Sequence, residues 1–261
     1  MATNGGESFL LSLLSDRERF YEQVVEGREL GTKLRLGLAT MAVLSGFYGL
    51  IAGAYSGWAQ AVATGIKLPV LLLATLLVCF PVFFVVQVLM GSRLKLLQVL
   101  VLVVFSLALM SILLAAFVPI TAFFLLTGAN YYFMHLLHIS IALIAGLFGM
   151  VALHDGLAVI CERRGVYPRR ALTMMRIWAV LFAFVGIQMA WNLRPFLSDR
   201  SEPFQVIGKY QGNFYAAIVY AVNKLLTGEA KPVSSPQPRS LHDMFPQLPE
   251  SVRDSLHRPP R

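Results

Sequence analysis

Residues Leu97 to Leu126 read LQVLVLVVFSLALMSILLAAFVPITAFFLL, a run without one charged side chain. At about 1.5 Å per residue, a helix of that length measures roughly 45 Å, against about 30 Å for the hydrocarbon of a bilayer. An unbroken helix along the membrane normal would overshoot. Pro119 lacks an amide hydrogen, and its ring crowds the carbonyl four residues back. The run is therefore expected to bend at Pro119 or to end its membrane-normal part there. Only a helix pairs all its backbone groups within one segment, so a run of this kind sets the fold class as helices in a bilayer.

The rest of the chain agrees. Of 261 residues, 57% are apolar and 14% charged, whereas a water-soluble domain carries roughly 25% charged residues. Upstream, a first span is expected from about Leu36 to Tyr55, rich in small residues: Gly37, Gly46, and the small-xxx-small pair Gly49 and Gly53 that permits close helix approach. A second follows from about Leu68 to Met90, with Pro69 at its start, Pro81 inside where a kink is expected, and a basic turn from Gly91 to Lys95. Downstream, the short turn Thr127 to Asn130 makes the third and fourth spans antiparallel neighbours. The fourth is read from about Tyr131 to Leu153. A loop with Arg163, Arg164, Arg169 and Arg170, broken by Pro168, leads to a fifth from about Leu172 to Trp191.

Before the first span, Ser15-Asp16-Arg17-Glu18 fits a capping box, and Phe20, Tyr21, Val24 and Val25 recur at helical spacing. This predicts an amphipathic helix lying on the cytoplasmic leaflet, with packing on the bundle as the alternative. The acidic residues Asp16, Glu18, Glu22 and Glu26 and the lack of a small-residue cleavage site argue against a removable signal peptide. Beyond the fifth span, Gly212-Asn213 can cap a helix from Phe214 to Leu226, too short to cross and expected at the interface. The expected class is all-α: an integral membrane bundle of five transmembrane helices, an N-terminal amphipathic helix and a short C-terminal interfacial helix. Its parts are a cytoplasmic segment (1–33), the transmembrane domain (34–196), an outer-face loop and interfacial helix (197–228), and a Pro-rich polar tail (229–261).

Charge orients it. With the N-terminus inside, one side collects Arg17, Arg19, Arg28, Lys33, Arg35, Arg93, Lys95 and the four loop arginines, while the opposite loops offer only Lys67. Eleven against one is a positive-inside pattern. The predicted location is a bacterial inner membrane, N-terminus cytoplasmic and C-terminus outside. The net charge of +8 sits beside the ends of apolar segments, a placement that suits anionic lipid headgroups rather than nucleic acid. Cys79 and Cys161 lie too far apart in this topology to pair and are expected as free thiols.

The chemical inventory is thin. No Asp, Glu, Lys or Arg is placed near a membrane centre, and Arg176 reads as an interfacial anchor. His135 and His138 share a helix face three residues apart and could ligate a metal or haem, although no cofactor is predicted for want of companion ligands. His154 and Asp155 fall at the opposite membrane face. The richest stretch is Gln188, Trp191, Asn192, Arg194 and Phe196, followed by Asn213, Phe214 and Tyr215. It reads as a partner or lipid contact on the outer face, or as an interfacial belt in which Trp191 and Arg194 fix helix depth. No glycine-rich nucleotide loop, zinc signature or nucleophilic triad is present, so no enzyme activity is expected.

Lys67-Leu68-Pro69 before the second span, the turn Met90-Gly91-Ser92-Arg93-Leu94, the proline-bearing third span, and the ending Gln188-Met189-Ala190-Trp191-Asn192-Leu193-Arg194-Pro195-Phe196 with Gly212-Asn213-Phe214-Tyr215 together resemble the bacterial branch of the Yip-like membrane family. The resemblance covers roughly residues 30–226. It implies a helical bundle with a non-catalytic role, whereas the long cytosolic N-terminal region and DLYGP-type motif of the GTPase-binding relatives are missing. The expected function is a membrane scaffold or accessory subunit that holds other membrane subunits or further copies of itself. The alternatives are a small-solute transporter or channel built on Pro81, Pro119 and the glycine-rich first span, and a haem or metal redox subunit.

Overall fold

A computed structural model describes residues 17–164, 169–193, 196, 218–219 and 222–223. The chain forms two compact units divided between Lys209 and Tyr210. In the second, residues 218–219 and 222–223 are helical. The rest of the expected interfacial helix and the tail 229–261 lie outside the described residues.

Seven α-helices and one short 3-10 helix (Ala54–Ser56) make up the described part of the first unit: α1 (Arg17–Val25), α2 (Leu30–Gly53), α3 (Trp58–Leu89), α4 (Leu96–Ala116), α5 (Val118–Leu126), α6 (Tyr131–Arg164) and α7 (Arg169–Leu193). No strand occurs among the described residues. Five spans are long and apolar enough to cross a membrane: Leu30–Ser56, Trp58–Leu89, Leu96–Leu126, Tyr131–Cys161 and Leu172–Leu193. This is an all-α, multi-pass membrane fold. Cys79 and Cys161 are both free thiols.

The third span breaks where the sequence requires it. Helix α4 ends at Ala116, Phe117 caps it by donating to the carbonyls of Leu113 and Leu114, and α5 restarts at Val118 with Pro119 in its first turn. A proline is tolerated there because a first-turn amide has no helical acceptor anyway. Helix α4 is the centre of the bundle, with every residue from Val101 to Ala108 buried. It packs on α2 and α6. Helix α2 also packs on α3, α3 on α7, and α6 on α7. Leu77, Leu143, Phe148 and Val180 point outward, as a hydrocarbon solvent allows.

Close backbone approach fixes the α2–α3 pair. A Cβ on Gly49 would sit 2.6 Å from the Thr64 carbonyl oxygen, and one on Gly53 would sit 2.6 Å from that of Gln60. Only glycine permits that spacing. Pro69 leaves the Gly65 carbonyl without its helical donor, and this carbonyl lies against Gly46. The α3–α7 pair is held by Trp178, whose Nε1–H donates to the Cys79 carbonyl at 3.1 Å while its ring stacks on Phe83 at 4.2 Å.

Three expectations need correction. Helix α1 does not present its apolar face to lipid: Phe20, Tyr21 and Val24 are buried, Phe20 stacks on Phe105 of α4 at 4.1 Å, and the Tyr21 phenol donates to the Ala152 carbonyl of α6 at 3.1 Å. An amphipathic stripe suits a lipid surface or a protein groove equally, and here the groove also supplies acceptors for the polar atoms. Helix α2 starts at Leu30, inside the segment assigned to the cytoplasmic part, and α3 starts at Trp58, ten residues before the expected Leu68. Lys67 and Pro69 therefore lie within a helix, because residues 58–67 are held by the glycine face of α2 rather than by their own hydropathy. Helix α6 runs on past Leu153 to Arg164, since Leu157 and Ile160 belong to the buried core.

Candidate functional site

The bundle end with the α2–α3 and α5–α6 turns holds two buried polar groups. The first is a stripe on α3. Gln60, Thr64 and Lys67 follow one another at four- and three-residue steps, hence on one helix face, and all three are buried. Phe196 lies against two of them. The Thr64 hydroxyl donates to the Phe196 carbonyl at 2.8 Å, and Lys67 Nζ stands 5.9 Å from the centroid of the Phe196 ring. A cation at that distance is attracted to the negative ring face, the more strongly where water is scarce.

The second group joins three helices. Tyr48 of α2 and His138 of α6 share a hydrogen bond of 2.7 Å between the phenol oxygen and Nδ1, their rings set edge to face. Thr121 of α5 is fully buried, with its hydroxyl against the phenol but outside hydrogen-bond geometry. His138 Nε2 is buried and has no hydrogen-bond partner. The break at Phe117 is what turns α5, and with it Thr121, into this position.

Of the expected outer-face contacts, Phe196 is brought onto Thr64 and Lys67. Gln188 and Asn192 are exposed and Trp191 is half-buried. Arg194, Asn213, Phe214 and Tyr215 lie outside the described residues. His135 and His138 stand three residues apart on α6: the His135 ring stacks on Tyr131 at 6.1 Å, and His138 Nδ1 shares a hydrogen bond with the Tyr48 phenol. Among the described residues no three of His, Cys, Asp and Glu come together.

Lys67, expected in the loop between the first two spans, lies instead within α3 and is buried. Its rank as the single cation between the first two spans was visible in the sequence, and the spacing of Gln60, Thr64 and Lys67 was the signal that α3 begins early. Tyr48 and Thr121 carried no local signal, since nothing along the chain says that residues 48, 121 and 138 meet.

At the other end of the bundle, Arg176 of α7 donates from Nη2 to His154 Nε2 of α6 at 3.2 Å. Arginine has no acceptor, so Nε2 must accept, which in the neutral ring leaves the hydrogen on Nδ1, 3.4 Å from Asp155 Oδ1. Close by, burial pushes the Tyr21 phenol up to about 12; the Asp155 carboxylate adds to the shift and Arg17 opposes it. The Arg176–His154 contact joins α7 to α6, and the His154–Asp155 contact lies within α6. No family model, curated protein or solved structure matches the chain.

Proposed function

We propose that this chain is a non-catalytic scaffold or accessory subunit of a larger membrane assembly, set in a bacterial inner membrane with its N-terminus cytoplasmic and its C-terminus outside. One observation carries the reading. Between helices, the polar side chains of Tyr21, Gln98 and Trp178 each donate to a backbone carbonyl of another helix, and Thr64 does the same to the segment after α7. Polar atoms used this way fix helices relative to one another and leave outward faces for lipid and for other subunits. The resemblance to the bacterial Yip-like family points the same way, and anionic headgroups suit the basic ends of the spans.

Extraction from native membranes in mild detergent, followed by mass spectrometry of what stays attached, tests the reading. A constant set of membrane subunits or a stable homo-oligomer is expected. A chain that is always monomeric and alone would overturn it.

A small-solute transporter is the second reading, favoured by the break at Phe117 beside Tyr48, Thr121 and His138 and by the buried cation Lys67 in a spanning helix. Broken helices and intramembrane ionisable groups are the usual parts of such pathways. Flux assays on reconstituted liposomes decide it, and no flux for any solute class would remove it.

A further inference from the structure

The five membrane-crossing spans contain five amide side chains, and the fold treats them in two ways. Gln60, Gln87 and Gln98 are buried in the bundle, whereas Gln188 and Asn192 are exposed. Both exposed amides stand on α7, four residues apart and hence on one helix face. Gln188 lies five residues before Leu193, about 8 Å inside the end of its span. Hydrocarbon offers an amide neither donor nor acceptor, so a protein neighbour that supplies both is favoured there.

The same face continues along the helix. Ile177, Leu181 and Phe184 lead up to Gln188 at steps of four, three and four residues, and all three are exposed. Steps that average close to 3.5 keep one seam turned toward a parallel neighbour crossing at about 20°. The opposite face is already taken: Met175, Trp178 and Phe182 are buried where α7 packs on α3 and α6. Of the five spans, the one in α7 is the least buried. It has the most surface left for a neighbour.

The chemistry of the seam selects its occupant. Copies inserted by the same charge pattern share one orientation, so two α7 helices side by side run parallel about a two-fold axis along the membrane normal. Each residue then meets its own counterpart at equal depth. An amide carries both a donor and an acceptor, and it therefore pairs with a second amide of its own kind. We propose that α7 is the self-association helix of this protein, with the face of Ile177, Leu181, Phe184, Gln188 and Asn192 packed on the same face of a second copy and the two Gln188 amides bonded across the axis. This rests on the scaffold reading and names the partner of that face as a second copy of the chain.

Two measurements on the full chain test it. In native membranes, single substitutions to cysteine on a Cys161→Ser background, which leaves only the buried Cys79, are oxidised and sized. Leu181→Cys and Phe184→Cys should give a disulfide-linked product of twice the chain mass, and Ala183→Cys, exposed on α7 but turned away from the seam, should give little. In liposomes of falling protein-to-lipid ratio, single-molecule photobleaching reads the monomer–dimer equilibrium. Replacing both amides, Gln188→Leu with Asn192→Leu, should weaken association on the order of tenfold, the loss of hydrogen bonds between helices in a bilayer. Gln188→Asn keeps the amide and should retain most of the association. These side chains point outward, so the changes leave the packed interior intact. A parent that is monomeric at every dilution, a variant without the amides that associates as well as the parent, or equal cross-linking at Ala183→Cys overturns the proposal. If Phe184→Cys is captured by a different protein, self-pairing falls while the scaffold reading stands. If it is neither cross-linked nor co-purified with any subunit, both fall.

Discussion

The side-chain amide of Gln98 donates to the carbonyl of Val24 at 2.9 Å and to that of Val25 at 2.8 Å, while its own oxygen accepts from the Lys95 amide at 2.7 Å. One residue thus caps the end of α1 and the start of α4. Both helix ends have orphan groups that need partners. Gln98→Ala should cost about 2 kcal/mol, the worth of two or three such bonds in a partly buried setting. The loss should fall on α1: hydrogen exchange of residues 17–25 speeds up while exchange in the spans is unchanged. Equal acceleration throughout would contradict a capping role.

Gly156 makes the room for Tyr21. A Cβ there would lie 2.6 Å from the Tyr21 ring. Gly156→Ala should therefore push α1 out of the α4–α6 groove at the cost typical of overpacking, about 1–3 kcal/mol. Trypsin should then cut after Arg19 in the folded variant but not in the parent. An uncut variant would show that the groove relaxes around the methyl group.

Tyr21 also gives α1 a pH dependence. Its phenol is pushed by burial from the ordinary 10 up to about 12. Below pH 10 the docked and undocked states both hold the proton, and docking has its full strength. Between 10 and 12 the undocked phenol ionises while the docked one does not, so docking weakens as pH rises through that window, by on the order of 2 kcal/mol. Tyr21→Phe should abolish the window and lose about 1 kcal/mol at neutral pH with its bond to Ala152. Subtracting alkaline absorbance titrations of the variant from those of the parent isolates the phenol; a difference curve centred near 10 would refute the shift.

The α2–α3 contact predicts a sharper penalty within the membrane. Gly49→Ala places a methyl group 2.6 Å from the Thr64 carbonyl oxygen, a backbone atom that cannot rotate away. A loss of about 1–3 kcal/mol is expected, read as a lower melting temperature in detergent. Gly31→Ala, where nothing lies within 4 Å, is the control and should change little.

Orientation can be read from the two thiols. Cys79 is buried and Cys161 is half-buried near the arginine-rich loop. A membrane-impermeant maleimide should label Cys161 in inside-out vesicles and not in right-side-out ones. The reverse pattern would invert the proposed topology.

Much of this protein was legible along the chain. The uncharged run Leu97–Leu126, its break near Pro119 and the turn Thr127–Asn130 follow from bilayer thickness and from what proline does to a helix, both local matters. What the sequence could not decide is which apolar surface meets lipid and which meets protein. Hydrocarbon and a helix core are equally apolar, so hydropathy did not reveal that α4 is central, that Phe20 lies on Phe105, or that Trp58 to Lys67 is helical against the glycines of α2. The same holds for polar contacts. A histidine at 138 is visible at once, but a tyrosine ninety residues away becomes its partner only when α2 and α6 stand side by side. The number and rough placement of the spans came from sequence; the pairing of Tyr48 with His138 and of Gln98 with Val24 was decided by tertiary structure, because hydrogen-bond partners in a bilayer are set by which helices touch.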